Sequence, residues 1–196
     1  MSPSSVLMPK GRQDVRFASM CRNMKSSDFS VLDFGSGLGD LARYLHSHFG
    51  DVRYTGVDIV DEFVAAASKA YPADRFEKLT NYQDLDEKFD YVMIAGVFNS
   101  LYSENERVHK EYVFDVMRHL FGLTRDYMSV NFMTTAVDFQ QPGAYHQNPA
   151  ELCEFATRNL SSRWILDQSY MPYEFTLTIF RDAEIQRPEN VYNVRK

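Results

Sequence analysis

The sequence is short of the groups that announce several protein classes. It holds two cysteines in 196 residues, Cys21 and Cys153. They form no CxxC pair and are too few for a disulfide or zinc framework, which fits a reducing, cytoplasmic setting. No His/Cys/carboxylate cluster has metal-ligand spacing, so no metal is expected. No run approaches the roughly 18 consecutive apolar residues of a membrane-spanning helix. The stretch from Met1 to Lys10 lacks the apolar core of a secretory signal. Positive charge is sparse too: 21 Lys+Arg stand against 27 Asp+Glu, a formal net charge of −6. Without a dense basic footprint, neither a nucleic acid nor a membrane is an expected partner. Internal repeats, low-complexity blocks and interdomain linkers are also missing.

What is present is ordinary in amount and uneven in kind. Hydrophobic residues make up 44%, and aromatic residues reach 14%, with 15 Phe and 12 Tyr. The aromatic share fits either core filling or an apolar ligand pocket. The length predicts one domain over residues 11–181, flanked by a flexible tail at 1–10 and a C-terminal tail at 182–196. A monomer or a homodimer is expected.

The apolar spacing alternates between short buried strands and helices. Gly11 to Lys25 has helical spacing. Phe29 to Phe34 reads as a strand, Leu38 to Phe49 as a helix, Val52 to Ile59 as a strand and Asp61 to Tyr71 as a helix. A weak strand at Arg75 to Leu79, a strongly apolar one at Phe89 to Ala95, a long helix at Arg107 to Leu123 and a strand at Asp126 to Phe132 follow. The best strands are apolar on both faces, the mark of a parallel sheet covered by helices. Pro149 to Leu160 reads as a helix capped by Asn148. Arg163 to Tyr170 and Glu174 to Arg181 follow with no helix between them, so they pair antiparallel. The predicted class is α/β: a Rossmann-like seven-stranded sheet, mostly parallel, with a C-terminal antiparallel hairpin and helices on both faces.

The sharpest motif is Asp33-Phe34-Gly35-Ser36-Gly37-Leu38-Gly39-Asp40, at a strand end that opens a helix. Glycines there permit a tight turn and close approach to a ligand. The pattern is GxGxG, and Asp33 and Asp40 would repel a pyrophosphate but welcome a cationic ligand. The second strand ends at Asp58, placed to accept both hydroxyls of a ribose. These segments, with Phe89-Asp90-Tyr91-Val92-Met93-Ile94-Ala95-Gly96-Val97-Phe98-Asn99, resemble the class I S-adenosylmethionine-dependent methyltransferases over roughly residues 11–181. Gln13 to Phe17, Gly96 to Asn99 and Tyr173 to Thr176 also resemble a small, poorly characterised bacterial subgroup.

The resemblance implies S-adenosylmethionine as cofactor. It assigns Asp33, Gly35, Gly37 and Gly39 to its methionine part, Asp58 to the ribose and Ile59 to the adenine face. Asn81 falls where many members have Asp contacting the adenine amino group, and as an amide it can still accept that bond. Tyr82 beside it is placed to cover the adenine. Ala95 and Gly96 fall beside the sulfonium. Arg16 either closes the pocket on the cofactor carboxylate or forms a surface ion pair.

The acceptor site is expected from the segment after the fourth strand and from the insert Met133 to Asn148. Loops of that length are commonly functional or disordered. His146 is the candidate base for a hydroxyl acceptor, against the reading of an exposed loop histidine. Tyr145 and Tyr102 are candidates for orienting the acceptor, against lid or packing roles. Glu174 either faces the pocket or is a strand-edge charge. The function read from the sequence is methyl transfer to a small molecule. O-methylation of a hydroxyl on a sugar or natural-product intermediate is favoured. The alternatives are an N-methyltransferase on a small amine or protein side chain, a non-catalytic methyltransferase-fold partner subunit, or, disfavoured by GxGxG and the hairpin, a nicotinamide oxidoreductase.

Overall fold

The computed structural model describes residues 10–181. The tails expected at 1–10 and 182–196 lie outside the described residues, except for Lys10, which begins the first helix. Helix α1 (Lys10–Cys21) leads into β1 (Ser27–Phe34), α2 (Asp40–His48), β2 (Gly50–Asp58), α3 (Asp61–Ala70), β3 (Arg75–Lys78) and β4 (Phe89–Ala95). Then come α4 (Glu106–Gly122), β5 (Thr124–Thr134), β6 (His146–Gln147), α5 (Pro149–Asn159), β7 (Trp164–Asp167) and β8 (Glu174–Phe180).

The strands lie in the order β3-β2-β1-β4-β5-β8-β7, and β6 pairs with β5 off this path. β1 pairs in parallel with both β2 and β4. β8 runs antiparallel to β5 and to β7, as the missing helix between the last two strands requires. The chain therefore reverses direction across the sheet at β1, and the C-terminal ends of β1 and β4 frame a crevice where open α/β sheets take ligands.

Period-two alternation explains why the strands read as continuously apolar. Leu32 and Phe34 of β1, with Val92 and Ile94 of β4 and Val130 and Phe132 of β5, form one buried layer under α4 and α5. Phe29 and Val31, with Tyr91, Met93 and Tyr127, form the opposite layer under α1 and α2. Successive residues thus serve different cores.

Two of the helices, α4 and α5, start on side-chain caps. The Asn105 side chain accepts from the amides of Arg107 and Val108 at the head of α4. The Asn148 side chain accepts from Ala150 and Glu151 at 2.9 and 3.2 Å, with Pro149 in the first turn of α5. Helix α2 begins at Asp40 rather than Leu38, because Gly39 sits in the left-handed region at φ 82°. The glycine turn therefore extends two residues further than the apolar spacing indicates.

The insert after β5 departs from a plain loop. β5 runs on to Thr134, and the chain returns as the two-residue β6, giving the sheet an eighth strand. Asn148→Ala is expected to lower unfolding stability by about 1 kcal/mol, the usual worth of an N-cap, read as a lower urea midpoint at unchanged slope.

Candidate functional site

The site is built at the C-terminal ends of β1, β2 and β4. Gly35 follows β1 with φ +80°, and a Cβ there would meet Val97 Cγ2 at 2.3 Å. Gly37, at φ +55°, has nothing within 4 Å of a Cβ position, so the turn leaves open space on that side. The Gly37 amide donates to Asp58 Oδ2 at 2.9 Å and the Val60 amide to Asp58 Oδ1 at 2.9 Å. Each carboxylate oxygen of Asp58 keeps a further lone pair for a hydroxyl.

Asp33 is a buried carboxyl with one unmet oxygen. It is 2% exposed, and the Tyr54 hydroxyl donates to its Oδ2 at 2.6 Å. Its Oδ1 is buried with no hydrogen-bond partner. Burial pushes its pKa from 3.8 up to about 7, opposed by the Tyr54 bond and assisted by the negative charges of Asp58 and Asp40. A buried carboxylate with an unmet oxygen is a site for a positively charged donor. Asp33 lines a small cavity with Gly35, Gly37, Asp40, Ala95 and Arg16.

A second cavity of about 320 Å³ opens on the other side of the glycine turn. Asp58 stands with the apolar residues Phe34, Ile59, Phe63, Leu79, Val97 and Tyr112 in its lining. Ile59 is 71% exposed, an apolar rim with nothing covering it. Asn81 and Tyr82, expected here, are not in this lining. Asn81 Oδ1 accepts the Gln83 amide at 3.1 Å, capping a short 3-10 turn. Tyr82 packs edge-on against Tyr112 and His119. Both are occupied locally, because a strand-to-turn transition after β3 uses the Asn side chain as a cap. Phe63, Leu79, Val97 and Tyr112 escaped the sequence reading. Leu79 and Val97 sit just past strand ends, where the signal existed. Phe63 in the first turn of α3 and Tyr112 on α4 are brought in by packing.

A third cavity, of about 670 Å³, adjoins the first and shares Gln13, Arg16 and Ala95 with it. Arg12, Asn99, Ser100, Gln141, Tyr173 and Glu174 also contribute to its walls. Arg16 is no surface ion pair. Its Nε and Nη2 donate to the two oxygens of Glu174 at 3.0 and 2.7 Å, with side-chain exposures of 6% and 3%. The pair stands between the first, smaller cavity and the larger one.

The three acceptor-side candidates fare differently from expectation. His146 is buried, and both ring nitrogens are engaged: Nδ1 donates to the Thr134 carbonyl at 2.9 Å and Nε2 accepts the Gln141 amide at 3.1 Å. No lone pair remains for an acceptor proton, so His146 pins the insert and is not placed to act as a base. Tyr145 is in the core, its hydroxyl donating to Gln147 Oε1 at 2.8 Å and its ring against His109. Tyr102 is 68% exposed and stacks on Tyr112 outside the third cavity. Glu174, by contrast, does face the cavity. Arg12 was missed, although it shares a helix face with Arg16 at i, i+4. Among the described residues there is no group of three His, Cys, Asp or Glu placed to hold a metal, and no helix is long and apolar enough to cross a membrane.

A methyltransferase-domain model matches residues 32–126, which run from Leu32 in β1, beside the glycine turn, to the start of β5. Over those residues the chain matches a methyltransferase domain, and its mostly parallel sheet with the antiparallel C-terminal pair is the Rossmann-like methyltransferase fold. The chain is similar to the inferred methyltransferase Rv1506c of Mycobacterium tuberculosis, 26% identical over 77% of this chain and 92% of that protein. It also matches Escherichia coli cyclopropane-fatty-acyl-phospholipid synthase at 30% identity over 47% of this chain, spanning only 25% of that enzyme. In fold it resembles magnesium protoporphyrin IX methyltransferase from Synechocystis PCC 6803 with bound SAH, at TM-score 0.66 and 18% identity, covering 88% of this chain and 84% of that one. An S-adenosylmethionine-dependent methyltransferase from Clostridium acetobutylicum gives TM-score 0.61 at 9% identity, covering 92% of this chain and 94% of that one.

The Synechocystis enzyme was solved with SAH and with SAM bound, and the residues of this chain fit that cofactor. Asp33 Oδ1 suits an ammonium group, Asp58 suits ribose hydroxyls, and the uncovered apolar rim at Ile59 suits a flat ring.

Two outcomes follow from these contacts. Asp33 binds its proton more tightly folded than unfolded, so its ionisation penalty is absent below about pH 4 and grows until the pH passes its folded value of about 7. In the cofactor-free protein, the stability of Asp33→Asn relative to the parent therefore rises between about pH 4 and 7, measured by denaturant unfolding across that range. His146→Ala should lower the melting temperature while leaving the shape of the pH–rate profile unchanged. Loss of the low-pH limb in the variant would mean that His146 acts as a base after all.

Proposed function

We propose that this enzyme is a small-molecule O-methyltransferase. The observation that carries the reading is the cavity of about 670 Å³ that meets the cofactor side at Arg16 and Ala95. Its volume suits a metabolite rather than a polymer.

S-adenosylmethionine supplies a methyl group already activated on a sulfonium. The protein is left to bind, orient and exclude water. Asp33 takes the amino group of the methionine part, and Asp58 takes the ribose hydroxyls, with Gly35, Gly37 and Gly39 leaving room between them. Ile59, Phe63, Leu79 and Tyr112 enclose the adenine. Ala95 and Gly96, at the end of β4, border both compartments. The Arg16–Glu174 pair walls the acceptor side and limits solvent at the junction. The larger cavity carries two guanidiniums against one carboxylate, although the chain as a whole is acidic. That local sign weighs against a cationic amine as acceptor.

Isothermal calorimetry with S-adenosylmethionine, its demethylated product and NAD tests the reading. The two sulfur compounds should bind and NAD should not. Asp58→Ala should weaken both sulfur compounds about tenfold or more, since a hydrogen bond to a charged group contributes roughly 1.5–3 kcal/mol. Binding of neither compound to the unaltered protein would end the proposal.

A further inference from the structure

We infer that the acceptor is a small acid methylated on its own oxyanion, with its negative charge held at Arg12. This deepens the proposed function and rests on it. Two sets of observations meet in the larger cavity.

The first concerns charge. Arg12 lies on the cavity wall and makes no ion pair among the described residues, and its guanidinium carbon sits 4.8 Å from the centroid of the Tyr173 ring. Stacking on Tyr173 holds the group in place without neutralising it. Asn99 adds a directed donor. Its Oδ1 is taken by the Met133 amide at 2.8 Å, which leaves Nδ2 as its available end. A Cβ on Gly96 would come within 3.5 Å of that Nδ2, so it lies on the side where the cavity meets the end of β4. A cation and an amide donor on one wall are the recognition set of an oxyanion.

The second concerns protons. A neutral hydroxyl acceptor has to lose a proton to a base. Among the described residues the cavity offers none that is free. Glu174, its one carboxylate, receives two bonds from Arg16 and a third from Asn131 Nδ2 at 3.2 Å. His146 has both nitrogens committed. His109 does too: Nδ1 accepts the Tyr102 amide and Nε2 donates to the Phe98 carbonyl. An acid already ionised at neutral pH needs no base. An oxygen lone pair of the acid forms the new O–CH3 bond while the methyl–sulfur bond breaks. The bonding pair stays on sulfur, the acid loses one negative charge, the sulfonium loses its positive charge, and no proton moves. The product is a methyl ester.

The test uses the full-length protein with methyl-labelled S-adenosylmethionine. Benzoate, octanoate and ethylphosphonate serve as probes, alongside the anionic fraction of a cell extract. A carboxylate acceptor gives label that mild alkali releases as volatile methanol. A phosphonate or phosphate acceptor gives an alkali-stable product that has lost one negative charge on anion exchange. Either result supports the inference. Label found only in an ether or an amine overturns it, as does no transfer to any acid while calorimetry still shows cofactor binding. Failure of the cofactor itself to bind would instead sink the proposed function. A binding readout accompanies turnover: benzoate is titrated into protein saturated with the demethylated cofactor product. Arg12→Ala should weaken that binding roughly tenfold or more, and Arg12→Lys should restore part of it. Cofactor titration of both variants reports that they are folded, and unchanged benzoate affinity in Arg12→Ala overturns the assignment.

Discussion

The buried pair between Arg16 and Glu174 joins residues 158 positions apart, the first helix to the last strand. It is the contact on which the two-compartment layout depends. A guanidinium and a carboxylate out of water are tolerated only when each meets nearly all of the other's hydrogen-bonding capacity, and removing either leaves a stranded charge at a cost of about 3–5 kcal/mol. Here the pairing is two-pronged, and Asn131, whose Nδ2 also reaches the Tyr170 hydroxyl at 2.7 Å, adds a third bond to the carboxylate. The pair draws α1 over the open end of the sheet. It divides one crevice into a smaller and a larger cavity, with Arg16 in the wall of both.

On the cofactor side, the remaining charges are arranged around an unmet need. Asp33 is held by Tyr54 on one oxygen and left bare on the other, which holds its proton more tightly than an exposed acid would. Asp58 is held by the loop amides of Gly37 and Val60. The same logic governs the two buried histidines of the acceptor side, with the opposite result. His109 and His146 each use one ring nitrogen as donor and one as acceptor to pin a loop. Burial also lowers the pKa of His109, so its ring stays neutral. Through Gln141, which lines the larger cavity, His146 acts on its wall only indirectly, and neither ring is part of the lining.

The layer order, the parallel sheet and the terminal antiparallel pair were legible because both-face apolar strands and a missing crossover helix leave little choice of topology. The glycine turn, Asp33 and Asp58 were legible because they are local in sequence: a strand end, a turn and an acid. The acceptor side was not. Arg12, Asn99 and Glu174 come from three distant segments, and only the packed sheet brings them to one wall. His146 misled because a polar loop histidine looks like a base until its partners are known. Thr134 and the Gln141 amide become those partners only when the insert folds back to add β6. Asn81 also caps its own turn and lies outside the lining of the cavity beside Asp58, a placement that becomes visible only once β3 gives way to the 3-10 turn.

The account places a cofactor between Asp33 and Asp58 with its reacting end open to the cavity of Arg12 and Asn99. A crystal structure of the complex with S-adenosylhomocysteine tests this most directly. The expected result has the amino group on Asp33 Oδ1, the ribose hydroxyls on Asp58, and the sulfur facing the compartment walled by Arg16 and Glu174. A sulfur turned away from that compartment, or a ligand bound outside the crevice between β1 and β4, would contradict it.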